Sequence, residues 1–288
     1  MKAIRIVMVA VAAVVIASNA AFAQSRPLVT EDPEVIGAGQ MLVEGGVDRH
    51  QGVTYPASGL QGNLFRIGTF GLSIGVSSIA EIQLDGGFRD ALTIKNRLAG
   101  APLASMMTIA KDATSTHDVM DGVIGAKVRF LSETARRPAM AFRFSTKLPN
   151  AGNESGIGLD TTDFAAQFLG AKTIQSIRVV GNFGFAILGD ATRGDRQNDV
   201  LLYGLSMARA IREGVEFVTE INGRKNTRSN TPPVGTDSLA MVRAGARITR
   251  GPVRLDGALL IGVTERDPSW GVTAGFTWVF KAFTVPVS

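Results

Sequence analysis

Polar and apolar residues alternate along most of this chain with a period of two. From residue 81, Glu81, Gln83 and Asp85 fall on one side and Ile82, Leu84 and Phe88 on the other. From residue 121, Asp121, Lys127 and Arg129 oppose Ile124, Ala126, Val128 and Phe130. From residue 140, Arg143, Ser145 and Lys147 oppose Met140, Phe142, Phe144 and Leu148. Such alternation sets one face of a strand in an apolar medium and the other in a polar one. A helix would put Arg143 and Lys147 on one face and splay Phe142 from Phe144, so these windows read as strands.

The same pattern yields twelve strands, beginning near Gln40, Asn63, Ala80, Asp118, Pro138, Thr161, Ile177, Asp199, Val215, Ser238, Pro252 and Ser269. Most run about 10 to 14 residues, against ~5 to 6 in soluble sheets, a length that suits a tilted membrane strand. The strands from Asn63 and Asp199 alternate poorly and assign no inward residues. Short connections at 75–79, 132–137, 173–176, 212–214 and 250–251 take turns with long ones at 50–62, 90–117, 149–160, 190–198, 224–237 and 265–268. An even-stranded meander with short turns at one end and long loops at the other is the plan of an outer-membrane barrel. Lipid enforces closure, because an open edge would leave backbone N–H and C=O groups unpaired in hydrocarbon at several kcal/mol each. The expected fold class is therefore all-β. It is a closed antiparallel up-and-down transmembrane β-barrel of about twelve strands over residues 40–280, with short periplasmic turns and longer external loops. A secreted β-sandwich, the competing architecture, calls for shorter strands and no systematic difference between loops.

In the last strand Trp270, Val272, Ala274, Phe276, Trp278 and Phe280 share one face, opposite Thr273, Gly275 and Thr277. Trp270, Phe276, Trp278 and Phe280 are the candidate lipid-facing aromatic girdle. Phe280 or Phe283 would supply the terminal aromatic on which such barrels often close, with residues 281–288 continuing as a tail.

Ahead of the strands, Lys2 and Arg5 precede an uncharged run at residues 6–16, and Ala21-Phe22-Ala23 forms a small-x-small site. The run is too short to span a bilayer, which takes ~20 residues. The layout is that of a cleaved signal peptide over residues 1–23, preferred to a buried N-terminal helix. Residues 24–39 then form a periplasmic N-terminal segment. Removing Lys2 and Arg5 lowers 30 basic residues to 28 against 25 acidic ones, so the formal charge falls from +5 to +3. The pI near 9.8 hints at nucleic acid. The cations are instead spread over strands, with no basic stripe interleaved with aromatics, and no nucleic-acid partner is expected. Glycine, 33 of 288 residues or about 11%, exceeds the usual ~7%. Glycines in strands relieve the curvature of a closed wall and permit bulges. With no cysteine, neither disulfides nor thiolate metal sites contribute.

At this point the residues carry a resemblance. Arg26-Pro27-Leu28-Val29-Thr30-Glu31-Asp32, then Gly39-Gln40 leading into Leu42-Val43-Glu44, is followed in order by residues 146–152, 156–164, 181–185, 198–204 and 218–223. This set resembles the outer-membrane transporter family named after the meta-cleavage pathway of phenol degradation. Glu31-Asp32-Pro33 departs from the Asp-Asp pair expected after the threonine. The resemblance implies a barrel that moves small molecules, aromatic ones among them.

The alternation also assigns a lumen. Its candidate basic residues are Arg89, Lys127, Arg129, Arg143, Lys147, Arg178, Arg243, Arg247 and Arg254; its acidic ones are Glu81, Asp85, Asp121, Asp163, Glu216, Glu220 and Asp256, with Asn182 and Gln167 adding neutral polarity. These groups either line a small-solute channel, favouring anions by the basic excess, or knit across the barrel as ion pairs and close it. Loop 90–117 either folds into the mouth as a constriction or lid or stays outside as a mobile loop. His50 and His117, the only histidines, fall in or beside external loops and in no hydrolase motif. No catalytic residue, metal or cofactor is expected. The expected function is passive passage of small solutes, aromatic or anionic compounds among them, across the outer membrane. Outer-membrane lipid surrounds the barrel, and the barrel-assembly machinery inserts it during biogenesis. The alternatives are a structural or sensory barrel closed by ion pairs and, behind it, a lipid hydrolase at the rim.

Overall fold

The computed structural model describes residues 25–284; residues 1–24, with the expected signal peptide, and residues 285–288 of the tail lie outside the described residues. Thirteen strands follow in chain order: β1 (Gln40–Tyr55), β2 (Leu60–Gly75), β3 (Ala80–Arg97), β4 (Ser115–Asp118), β5 (Val123–Leu131), β6 (Ala139–Lys147), β7 (Asp163–Ile174), β8 (Ile177–Gly189), β9 (Gln197–Arg212), β10 (Val215–Asn226), β11 (Leu239–Arg250), β12 (Val253–Gly262) and β13 (Trp270–Lys281). Apart from the β4–β5 step, each strand pairs antiparallel with the next, and β13 pairs β1 from Gln40↔Lys281 to Gln51↔Trp270, closing the wall. Both β4 and β5 pair with β3, one along residues 90–93 and the other along 80–85, so they share one position. The result is a twelve-stranded antiparallel barrel, and the strand starts fall within three residues of those read from the alternation, except that of β5, at Val123 and not Asp118.

Two of the long connections read from sequence are corrected. Strands β1 and β2 run toward each other until only residues 56–59 separate them, and β3 continues to Arg97 before a loop at 98–114 returns to β4. The extension carries a different inner face. Leu60, Leu64 and Leu92 point inward and are fully or almost fully buried, with Met107 and Ile109 of the 98–114 loop packed against them. Its inward residues are thus apolar, and a search for polar-in, apolar-out alternation passes over it.

The outer face carries a broad band of exposed apolar side chains. Phe130, Phe142, Phe144 and Phe168 are exposed and interlocked, with Phe142 and Phe168 edge to face at 5.5 Å. A continuous exposed band of this kind would aggregate in water and is stable in lipid. On β13, Thr273 and Thr277 are buried, and Trp270, Phe276, Trp278 and Phe280 lie on the opposite face. Trp270 stands at the long-loop end, while Trp278 and Phe280 sit at the short-turn end with ring centroids 4.3 Å apart.

Gly68 in β2 has φ +68° and is skipped in the β1–β2 register, where Gly46 pairs Thr69 and Val47 pairs Ile67. This bulge switches which parity faces inward. Below it Thr69 and Asp85 face the lumen; above it Arg66 and Asp90 do, joined by an ion pair at 3.1 Å. Arg89, expected in the lumen, is exposed beside Ile67 on the outer face. The alternation counted from Glu81 does not survive the switch.

Candidate functional site: a lumen floored by the N-terminal segment

Residues 25–36, expected on the periplasmic side, run through the inside of the barrel. They leave it at the short-turn end, where the Gly39 amide donates to the Gly75 carbonyl at 2.8 Å. Along this path the segment meets nearly every strand. Arg26 donates to Thr273 Oγ1 at 3.0 Å and pairs with Asp256 at 3.5 Å, while Arg247 donates to the carbonyls of Ser25 and Arg26 at 2.6 and 2.8 Å. The amides of Val29 and Thr30 donate to the Glu220 carboxylate at 2.9 and 2.7 Å, and Arg243 braces that carboxylate from β11. Asn182 clasps the backbone of Glu31 in both directions, at 2.7 and 2.8 Å.

On the opposite wall the segment is held by charge. Lys127, fully buried, lies 3.0 Å from Glu31, 3.1 Å from Glu81, and donates to the Asp32 carbonyl at 3.0 Å. Arg143 pairs with Glu31 at 2.7 Å and reaches Asp85 at 3.5 Å. Arg178 binds Asp32 through Nη2 at 2.7 Å and Glu133 through Nη1 at 2.6 Å. Arg129 pairs with Glu34, and the Ile36 amide donates to Glu81 at 2.9 Å. Burial alone would raise the Glu133 carboxyl, but the Thr173 amide and the Arg178 guanidinium outweigh it and hold it below the ordinary carboxylate range. Segment 25–36 carries one arginine and three acids, net −2, and each of its acids meets a cation of the wall. Glycines admit it: a Cβ on Gly46 or Gly275 would sit 2.4 Å from the Arg26 guanidinium.

Thus Glu81, Asp85, Lys127, Arg129, Arg143, Arg178, Asn182, Glu220, Arg243, Arg247 and Asp256 all lie around the segment or one contact from it. Arg254 pairs with Glu216 at 3.8 Å, two strands away from β10 on β12. Lys147 bridges Asp121 at 2.7 Å and Asp163 at 3.4 Å nearer the long-loop end. Arg89 alone of these candidates stands outside. His50 is buried on the inner face of β1 and His117 is exposed on β4, where its neighbour Thr116 is the buried one. The two histidines therefore occupy opposite faces of the wall. Among the described residues no group of three or more His, Cys, Asp or Glu is placed to hold a metal ion.

Above the segment the lumen opens into two cavities. The lower, about 260 Å³, has Val29 and Thr30 as its floor and is lined by Gln167, Asn182, Leu202, Asn222, Arg224, Leu239, Met241 and Asp267. The upper, about 190 Å³, lies among Tyr55, Ile157, Leu159, Asp237 and Arg266 of the loops and strand tips. Arg224 and Leu239 line both. The far side of the mouth, over β2 and β3, is filled by the leucine cluster and by Met107 and Ile109, so loop 98–114 folds onto the barrel top.

The residues missed in the sequence reading are those of segment 25–36 together with Arg224, Met241 and Asp267. A signal for the segment existed: Arg26, Glu31, Asp32 and Glu34 crowd charges into a stretch without alternation. Arg224 had none, because it lies where β10 continues past the point at which the sequence suggests a loop.

No family model matches the sequence, and no curated relative matches it. Among solved structures, an outer-membrane channel from Pseudomonas putida F1 superposes with TM-score 0.61 at 12% identity, covering 86% of this chain and 98% of its own. The NanC porin superposes at 0.48 and 8% identity, over 83% and 98% of the two chains. The translocator domain of the autotransporter NalP from Neisseria meningitidis gives 0.46 and 10%, over 85% and 89%. At such identities the likeness is one of architecture: the chain has the fold of an outer-membrane β-barrel.

Proposed function

We propose that this chain is an outer-membrane channel for passive passage of small solutes, aromatic or anionic compounds among them. The observation that carries this reading is the pair of cavities, one among the loops and one floored by Val29 and Thr30 of the N-terminal segment, that share Arg224 and Leu239 in their lining. Short turns then face the periplasm and long loops the exterior. The structural likeness to the Pseudomonas putida channel and the resemblance to the meta-cleavage transporter family support the same reading. The opposing reading, a barrel closed for structural or sensory ends, draws on the density of bonds between segment 25–36 and the wall.

Conductance in planar bilayers decides between them. Refolded barrel, checked by heat-modifiable gel migration, is compared with a variant lacking residues 25–36. The expected outcome is a small conductance for the full chain that rises severalfold on deletion. Absence of conductance from both proteins, together with no solute flux into liposomes, would overturn the channel.

A further inference from the structure

We propose that the lower cavity is a binding site for a small monocarboxylate with an apolar, single-ring body, and that Arg224 recognises its carboxylate. This deepens the channel reading and rests on it for the direction of travel, but not for binding itself.

Arg224 is held by backbone carbonyls and lines both cavities. Its Nε donates to the Asp237 carbonyl at 2.9 Å and its Nη2 to the Gly235 carbonyl at 2.7 Å, and among the described residues no carboxylate comes within ion-pair distance. Backbone carbonyls fix the guanidinium in place without neutralising it, and a guanidinium has five donors, more than these two bonds use. It lines both the upper and the lower cavity, within reach of a solute in either. Below it, Val29, Leu202, Leu239 and Met241 supply an apolar body for the pocket, while Asn182, Gln167 and Asn222 supply neutral polarity. An apolar cavity with few convergent polar groups is the ordinary form of a small-ligand site, and about 260 Å³ is at the small end of the range. The one acid on its wall, Asp267, is already engaged: its Oδ2 accepts from the Ala240 and Thr264 amides and from the Thr264 hydroxyl, tying the 263–269 loop to β11. Among the described residues no ion pair joins Asp267 to Arg224, so the guanidinium donors that the two carbonyls leave unused are the charged donors this pocket offers. A neutral ring would satisfy the walls and leave the guanidinium alone; a ring bearing a carboxylate satisfies both, through the bidentate geometry arginine offers.

Calorimetric titration of the full mature barrel in detergent tests this, using benzoate, benzamide, benzylamine and phenylalanine as probes. Benzoate should bind, with benzamide at least about tenfold weaker, since a charge-assisted bond exceeds a neutral one by over a kcal/mol. Arg224→Gln should abolish the difference between benzoate and benzamide, and Met241→Trp should fill the cavity and abolish binding of both. The second variant leaves the Gly235 and Asp237 contacts intact, so it stands if the first disturbs the loop. Equal binding of benzoate and benzamide, undiminished benzoate binding by both variants, or tightest binding of benzylamine or phenylalanine would each overturn the proposal. Benzoate binding without conductance would sink the channel and keep the site; conductance without benzoate binding would do the reverse.

Discussion

The floor and the mouth of this barrel are built on opposite principles. Around segment 25–36 the lumen is a mesh of charges, in which Lys127, Arg143, Arg178 and Arg129 each meet at least one acid of the segment. At the mouth, one side is sealed by leucines, methionine and isoleucine, and the other is left as cavities lined by a guanidinium that backbone carbonyls hold. Charges buried in pairs gain little over an apolar filling, but a pair missing one partner is strongly destabilised. A floor made this way holds together while complete and has a large penalty for partial removal. The apolar seal has no such all-or-none character, since each side chain contributes by its own burial. The difference suits a floor that leaves or stays as a unit beneath a mouth of fixed shape.

The sharpest test of that difference is Lys127→Met. The ammonium lies between Glu31 and Glu81 with no exposure. Its loss leaves two carboxylates short of their partner, and breaking a buried pair costs about 3–5 kcal/mol. Conductance should rise as the segment loosens, and the temperature at which the heat-modifiable gel band shifts should fall if the segment braces the wall. A variant with wild-type conductance and wild-type thermal transition would show that the floor does not depend on its charges.

How far this contrast was legible in the sequence depends on what each half presents. Alternation reports strands whose two faces meet different media, and it located the twelve strands because the lower barrel has polar residues inside and phenylalanines outside. It could not follow β1, β2 and β3 to their tips, where Leu60, Leu64 and Leu92 face inward. Nor could it carry the parity of β3 past Gly68 of the neighbouring strand, which is why Arg89 was placed in the lumen and Arg66, on a strand that alternates poorly, was not. The inward charges were visible individually, but their partners were not, since the acids that meet Lys127, Arg143 and Arg178 belong to a segment with no periodicity at all. The match between its three acids and Lys127, Arg129, Arg143 and Arg178 becomes apparent only once both are known to share one space.

Gly275→Val sharpens the comparison at a smaller scale. A Cβ at this position would meet the Arg26 guanidinium at 2.4 Å and the Gly45 carbonyl at 2.4 Å. The side chain can be displaced, whereas the carbonyl belongs to the paired wall, so some local strain adds to the loss of the Arg26–Asp256 contact. The expected result is a partial opening, with conductance above the full chain and below the 25–36 deletion. Because Glu31 and Asp32 keep their partners, the far half of the segment should stay in place. Full opening by this single change would mean that the segment is anchored at Arg26 and that the charge mesh on the other wall contributes little.

The smallest expected effect lies at the rim of the floor, in Glu133 on the β5–β6 turn. Its carboxylate accepts from the Thr173 amide at 2.8 Å and from Arg178 at 2.6 Å, and Arg178 in turn holds Asp32. The folded-state value lies below the ordinary 4.5, so the contribution of this group is complete above that value and is lost as the pH falls through the folded one. Glu133→Gln removes the charge but keeps most of the shape. The variant should be slightly less stable than the full chain at neutral pH, and the difference should shrink only below about pH 4.5, where the unfolded carboxyl becomes protonated. Thermal transitions by gel shift at several pH values between neutrality and strong acid measure it. A difference that already closes between pH 7 and 5 would place the titration on another group. If the two proteins do not differ at any pH, the Arg178–Asp32 contact stands without its outer brace, and the floor's charge mesh ends at the segment itself.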